Sequence, residues 1–214
     1  MTSASTADVV KILPVGDRAL LLELDGPAEV HALHVEIERR RRDGRLPAVE
    51  EVIPAARTIL IDGLADPMRF AREVTDWQVP PAEVDDRGLV EVPTIYDGAD
   101  LEQVARHWHM TTREVIATHA SVEHRVAFCG FAPGFAYITG LPPECTVPRR
   151  ANPRTAVPAG SVALAGEFTG IYPRPSPGGW QLIGRAEVSL WDPNRDPATL
   201  LSPGTRVRFV ELGS

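Results

Sequence analysis

Three arginines crowd one proline-stiffened stretch of this chain, Pro148-Arg149-Arg150-Ala151-Asn152-Pro153-Arg154. Guanidinium groups grip carboxylate and phosphate oxygens through paired N–H donors, and a stiff backbone lowers the entropy lost in placing them. The same arginines could equally bridge loops to acidic groups of the chain itself. A second stretch, Gly130-Phe131-Ala132-Pro133-Gly134-Phe135-Ala136-Tyr137, sets three aromatic rings among glycines. It reads as a flat platform with backbone N–H groups that could hold an anion or a developing oxyanion. Rings at such a place also plug the mouth of a barrel. A third cluster runs Thr169-Gly170-Ile171-Tyr172-Pro173 and then Ser176-Pro177-Gly178-Gly179-Trp180-Gln181. Its paired glycines lack the lysine and helix start of a phosphate loop, and Trp180 reads as core or interface before ligand platform. His119 shares a helix face with Val115 and Ile116. A histidine there is either a satisfied structural residue or a proton carrier.

Residues 130–180 hold nine of the 20 prolines and eight of the 17 glycines. Hairpin turns alone do not require that density, so the segment reads as long, stiff loops covering a binding face. Lys11 is the one lysine beside 21 arginines. It sits at a predicted strand start between Val10 and Ile12, a poor setting for biotin attachment or Ser/Lys catalysis. Cys129 and Cys145 form no paired spacing for a metal. Cys129 reads as a buried free thiol and Cys145 as a loop residue. A net charge of -7 argues against nucleic acid. The run Arg39-Arg40-Arg41-Arg42 reads as a solvated helix end rather than a polyanion patch. No apolar run reaches a membrane span, and no basic, apolar start marks a signal peptide, so the expected location is the cytoplasm.

The elements that must carry these residues fall into two groups. Residues 1–88 read as a small α+β domain: apolar strands at Val9–Leu13 and Asp17–Leu24, a helix opened by Gly26-Pro27 and closed by Gly44, strands at Val49–Ile53 and Arg57–Ile61, and a helix from Asp66-Pro67. Their order predicts a ferredoxin-like sheet with helices on one face. Pro80-Pro81 and the acidic stretch to Asp86 are the expected linker. Residues 89–214 open with a helix capped by Asp100 and another with capping-box spacing at Thr111–Glu114. Strands expected at Arg125–Cys129, Ser161–Ala165, Trp180–Arg185, Val188–Trp191 and Arg206–Leu212 then point to a closed β-barrel.

With these residues in view, the chain resembles the family variously called allophanate hydrolase subunit 1, KipI or carboxyltransferase subdomains C and D. The resemblance is carried by Val115-Ile116-Ala117-Thr118-His119, the 130–137 stretch, Val157-Pro158-Ala159-Gly160-Ser161-Val162-Ala163, and the two blocks from Thr169 to Arg185. It implies a cyclophilin-like barrel after the α+β domain and a partner carrying subdomains A and B. Enzymatic members include B subunits of prokaryotic 5-oxoprolinase. The resemblance therefore implies ATP-dependent opening of a small amide, 5-oxoproline, to glutamate, with ATP held here or with the partner. A third, LamB/YcsF-like subunit would complete the enzyme.

Side-chain chemistry then assigns His119, Arg150 and Arg154 to catalysis. Substrate or nucleotide binding falls to Gly130, Phe131, Pro133, Gly134, Tyr137 and Arg149, together with Ser161, Tyr172, Ser176, Gly178, Gly179 and Trp180. No residue is assigned to a metal. Two other classes stay open: a carboxyltransferase component of a urea or allophanate pathway, and a KipI-like inhibitor docking on a sensor histidine kinase.

Overall fold

The structure, a computed structural model, describes Val9 and residues 11–81 and 88–213. It divides into two compact units, residues 1–85 and 86–214. The expected boundary after residue 88 lies just beyond that division. The acidic part of the expected linker, to Asp86, and Val10 lie outside the described residues.

The first unit runs β1 (Lys11–Val15), β2 (Ala19–Glu23), α1 (Pro27–Arg42), β3 (Glu51–Pro54), β4 (Thr58–Asp62) and α2 (Pro67–Thr75). Its four strands form an antiparallel sheet in the order β1-β2-β4-β3. Alternation puts Leu20, Leu22, Ile59 and Ile61 on one face, where they meet Val30, Leu33 and Ile37 of α1 and Phe70 and Val74 of α2. The sheet departs from the expected ferredoxin-like order at one edge. Strand β4 does lie between β2 and β3, which α1 connects, but the edge beside β2 is filled from before it in the chain. Gly16, at φ 59°, makes the tight turn that folds β1 back onto β2.

Helix α1 starts with Pro27 at a position whose N–H needs no partner. Near its end, Glu36 is buried and accepts from Arg39 Nε at 2.7 Å and Arg40 Nε at 2.6 Å. Arg40 also lies over the Trp77 ring, 4.0 Å from its centroid. Arg41 lies 3.7 Å from the Glu38 carboxylate and Arg42 Nε donates to the Glu38 carbonyl at 3.4 Å, so all four consecutive arginines meet the helix's own groups. Helix α2 is capped by Asp66, whose Oδ1 accepts from the Arg69 N–H at 2.9 Å.

The second unit runs β5 (Leu89–Ile95), α3 (Leu101–Trp108), α4 (Thr112–Ser121), β6 (His124–Cys129), β7 (Ala136–Thr139), β8 (Arg154–Val157), β9 (Ser161–Ala165), β10 (Phe168–Ile171), β11 (Ser176–Gly178), β12 (Gln181–Ala186) and β13 (Arg206–Glu211). Seven of these close the expected barrel, in the order β10-β7-β6-β13-β5-β12-β9, and β8 with β11 forms a separate ribbon. Strands β13 and β5 run parallel, so the barrel is sealed by its first and last strands. Alternating residues such as Val126, Ile138, Val162, Leu164, Val207 and Phe209 fill the interior. The capping box forms at Thr111 and Glu114 as expected.

Val188–Trp191 is not a strand; only Trp191 bridges to Thr199. Arg195 explains the difference. Its guanidinium donates to the carbonyls of Ser189, Leu190 and Ala198 at 3.0–3.3 Å, curling the loop on itself. Cys145 lies in a loop as expected but is buried there, and Cys129, at the end of β6, is only half-buried, with Sγ donating to the Leu201 carbonyl at 3.2 Å.

Candidate functional site

Asp100 immediately precedes α3, yet its carboxylate does not cap that helix as expected. It turns inward instead, 3% exposed. Oδ1 accepts from Arg150 Nη1 at 2.6 Å and Arg154 Nη2 at 2.8 Å. Oδ2 accepts from the Leu182 N–H at 2.7 Å and lies 2.8 Å from Arg154 Nη1. The cause is local. Gly98 N–H donates to the Ile183 carbonyl at 3.2 Å and Asp100 N–H to that of Leu182 at 2.9 Å, so the chain before α3 lies flat on β12. A side chain at Gly98 would overlap the Leu182 and Ile183 backbone. Burial pushes the Asp100 carboxyl up. The hydrogen bonds from Arg154 and Leu182 and the charges of both arginines outweigh that and hold it below the ordinary carboxylate range.

Two guanidinium groups sharing one carboxylate leave the cluster with one net positive charge. Its frame is the 176–181 stretch: Arg150 N–H donates to the Gly179 carbonyl at 2.7 Å, Gln181 Nε2 to that of Pro148 at 3.1 Å, and β8 pairs with β11. Arg149 is exposed. Burial pushes the Tyr137 and Tyr172 hydroxyls up, and the nearby Arg149 charge opposes this at both. Arg149 therefore lies near Tyr137 and Tyr172, and Arg154 near Tyr172.

Phe135, Tyr172 and Trp180 are buried, and with Tyr137 their rings meet edge to face at 5.2–5.5 Å between centroids. The glycines make room for them. A Cβ at Gly170 would stand 2.8 Å from Phe135 and 2.9 Å from Trp180, and one at Gly178 would run into the Tyr172 hydroxyl. Gly178 thus admits the Tyr172 ring, whereas a Cβ at Gly179 would make only ordinary contacts. Phe131 differs from the other rings. It is 61% exposed, holds φ at 68°, and rests against Phe135 at 5.3 Å. Pro133 is exposed beside it. The expected row of free N–H groups is reduced, because those of Gly130, Ala132 and Phe135 donate to carbonyls of the same loop.

His119 is wholly buried on α4. Its Nδ1 meets the Tyr96 hydroxyl at 2.8 Å, its Nε2 meets the Thr169 hydroxyl at 3.2 Å, and the Phe209 ring lies 4.4 Å away. Burial, with His124 beside it, holds its pKa well below the usual histidine value. Both ring nitrogens are engaged by hydroxyls of the same unit. Ser161 is buried too, its carbonyl accepting from the Tyr172 N–H at 3.0 Å. Ser176 Oγ donates to the Arg174 carbonyl at 3.2 Å. Cys129, its thiol pushed up to about 11 by burial, offers no ready thiolate.

Asp100 is the site residue that sequence reasoning missed. Nothing local separates a capping aspartate from one that turns inward; Gly98, two residues earlier, is the only hint.

The profile of the family described as "Carboxyltransferase domain, subdomain C and D" matches residues 10–201. The B subunit of 5-oxoprolinase from Escherichia coli O157:H7 is 40% identical over 204 residues, 92% of this chain and 93% of that one. The corresponding 5-oxoprolinase B subunit from Bacillus subtilis is 33% identical, covering 94% and 92%. Among solved structures, TTHA0988 superposes with a TM-score of 0.74 at 35% identity; 92% of this chain is covered, and it spans 40% of that longer one. The Kluyveromyces lactis urea amidolyase, at TM-score 0.76 and 18% identity, covers 94% of this chain and 15% of its own, and shares the fold.

Proposed function

Because the chain belongs to the carboxyltransferase subdomain C and D family, we propose that it is the B subunit of an ATP-dependent 5-oxoprolinase, active with an A/B-type partner subunit. The observation that carries this reading is the match, along nearly the whole of both chains, to B subunits of 5-oxoprolinase. A B subunit implies companions, and a LamB/YcsF-like subunit is the proposed third.

The reaction opens a stabilised lactam. ATP transfers its terminal phosphoryl group to the lactam oxygen, one water attacks the activated carbon and the C–N bond breaks to leave γ-glutamyl phosphate and ADP, and a second water hydrolyses that acyl phosphate to glutamate and phosphate. Such a transfer depends on placing the groups and neutralising their charge. The net positive Asp100–Arg150–Arg154 cluster, with exposed Arg149 beside it, supports a role in that neutralisation. Asp100 is the positioning residue, since it fixes both guanidinium planes. His119 is assigned to holding α4 against the barrel rather than to proton transfer. Exposed Phe131, on a strained backbone, is the proposed anchor for the partner.

Reconstitution tests the reading. The chain with both companions should release glutamate and phosphate from 5-oxoproline and ATP, and the chain alone should not. Turnover without a partner would remove the subunit reading. A complete complex without lactam-dependent ATP hydrolysis would remove the substrate.

A further inference from the structure

We propose that the helix-free face of the four-stranded sheet in the first unit docks the A/B-type subunit, as a second contact surface besides the Phe131 anchor. The inference rests on the B-subunit reading for its partner and on the sheet's own side chains for the surface.

An antiparallel sheet with one face in water alternates apolar and polar residues along each strand. Leu20, Leu22, Ile59 and Ile61 point to α1 and α2, so the residues between them point away. Strand register then sets Leu13 of β1 beside Leu21 of β2, Leu21 beside Leu60 of β4, and Leu60 beside Ile53 of β3. An unbroken apolar row thus crosses all four strands where polar side chains are expected. Leu13, Leu21 and Leu60 are half-buried, and Ile53 and Val15, on the same face, are each 44% exposed. None of the five joins the hydrophobic cluster that α1 and α2 cover. Polar residues edge the row on both sides, Lys11, Glu23 and Thr58 along one and Glu51 and Asp62 along the other. An apolar centre inside a polar rim is the make-up of a protein interface.

Residues 1–8 contain one large apolar side chain, Met1, too few to cover the row. A row four strands wide covers roughly 200 Å², against the roughly 800 Å² per partner of a stable dimer, so it cannot hold two copies by itself. A companion already anchored at Phe131 needs only a supplementary contact of this size. Charge describes that companion further. Asp62 accepts from the Gly63 N–H at 2.7 Å, and neither it nor Glu51 makes an ion pair among the described residues. The rim therefore offers two carboxylates to an apolar surface bordered by lysine or arginine.

The test uses the full chain and the A/B-type subunit. Ile53→p-benzoylphenylalanine should crosslink to that subunit on irradiation; crosslinking to a second copy of this chain, or to nothing, overturns the proposal. Ile53→Lys should weaken complex formation by about tenfold or more while the free chain melts as before. Ile53→Thr, which keeps a strand-forming side chain, should weaken it by about threefold or more and decides the matter if Ile53→Lys does not fold. Glu51→Lys should weaken it at low salt, with the loss shrinking as salt rises. Undiminished affinity in the position-53 variants overturns the docking face and leaves the B-subunit reading. A wild-type chain that binds no A/B-type subunit removes both. A complex that crosslinks at position 53 but never opens 5-oxoproline keeps the docking face and removes the substrate.

Discussion

Asp100 and Arg154, 54 positions apart, meet face to face: Nη2 donates to Oδ1 at 2.8 Å while Nη1 lies 2.8 Å from Oδ2. Arg150 adds a second guanidinium to the same carboxylate. Removing Asp100 strands two partly buried cations, and Asp100→Ala should cost about 3–5 kcal/mol. Urea denaturation of wild type and variant measures it; a loss below about 1 kcal/mol would show that the arginines find other partners.

Turnover separates charge from scaffolding in the same cluster. Arg150→Ala and Arg154→Ala, reconstituted with the partner subunits, should be slowed by about tenfold or more, because each removes charge-assisted bonds worth roughly 1.5–3 kcal/mol. Lysine should restore only part of the rate, since it keeps the charge and loses the fork. Normal rates in all four assembled variants would leave the cluster as a brace for β8 and β12.

Stability should fall on mild acidification. The folded pKa of His119 lies below the unfolded value, so between the two the unfolded chain holds the extra proton and stability declines as pH drops below about 6.5. Each such histidine adds up to about 1.4 kcal/mol per pH unit. His124 and His34 are depressed by burial in the same direction. His119→Gln should be less stable at neutral pH and have a flatter slope between pH 6.5 and 5, read from denaturation midpoints. An unchanged slope would mean that His119 titrates normally.

Phe131 and Trp180 should respond in opposite ways. Phe131→Ala should weaken complex formation by about tenfold while its melting temperature holds. Phe131→Gly relieves a backbone conformation costing about 1–2 kcal/mol, so it should melt no lower than wild type. Trp180→Ala leaves a hole among Phe135, Tyr137 and Gly170 and should cost about 3–5 kcal/mol. Undiminished affinity in Phe131→Ala would move the interface elsewhere.

Gly98→Ala tests the close approach that aims Asp100. The added methyl cannot fit against the β12 backbone, so α3 must shift and the Asp100–Leu182 bond must stretch. Loss of stability accompanied by slower reconstituted turnover is the expected pair. An unperturbed variant would show that Asp100 is aimed by the arginines alone.

The order of residues by itself determined what is short-range. Alternation in β2 and β4, Pro27 at the start of α1, Asp66 before α2 and the Thr111–Glu114 box each act within a few residues, and each is legible without coordinates. The strand spacing after residue 124 pointed to a barrel, and the matched blocks from Val115 to Arg185 pointed to the family. Tertiary structure decided which polar groups are partnered. Asp100, a capping residue by its neighbours, became a buried counter-ion only because barrel closure brings the start of α3 onto β12 and the 149–154 stretch against both. Packing likewise decided that His119 and Trp180 are enclosed, which their neighbours in sequence do not specify. Local propensity acts through nearest neighbours along the chain. A charge pair spanning 54 positions forms only when the long loops between them have closed.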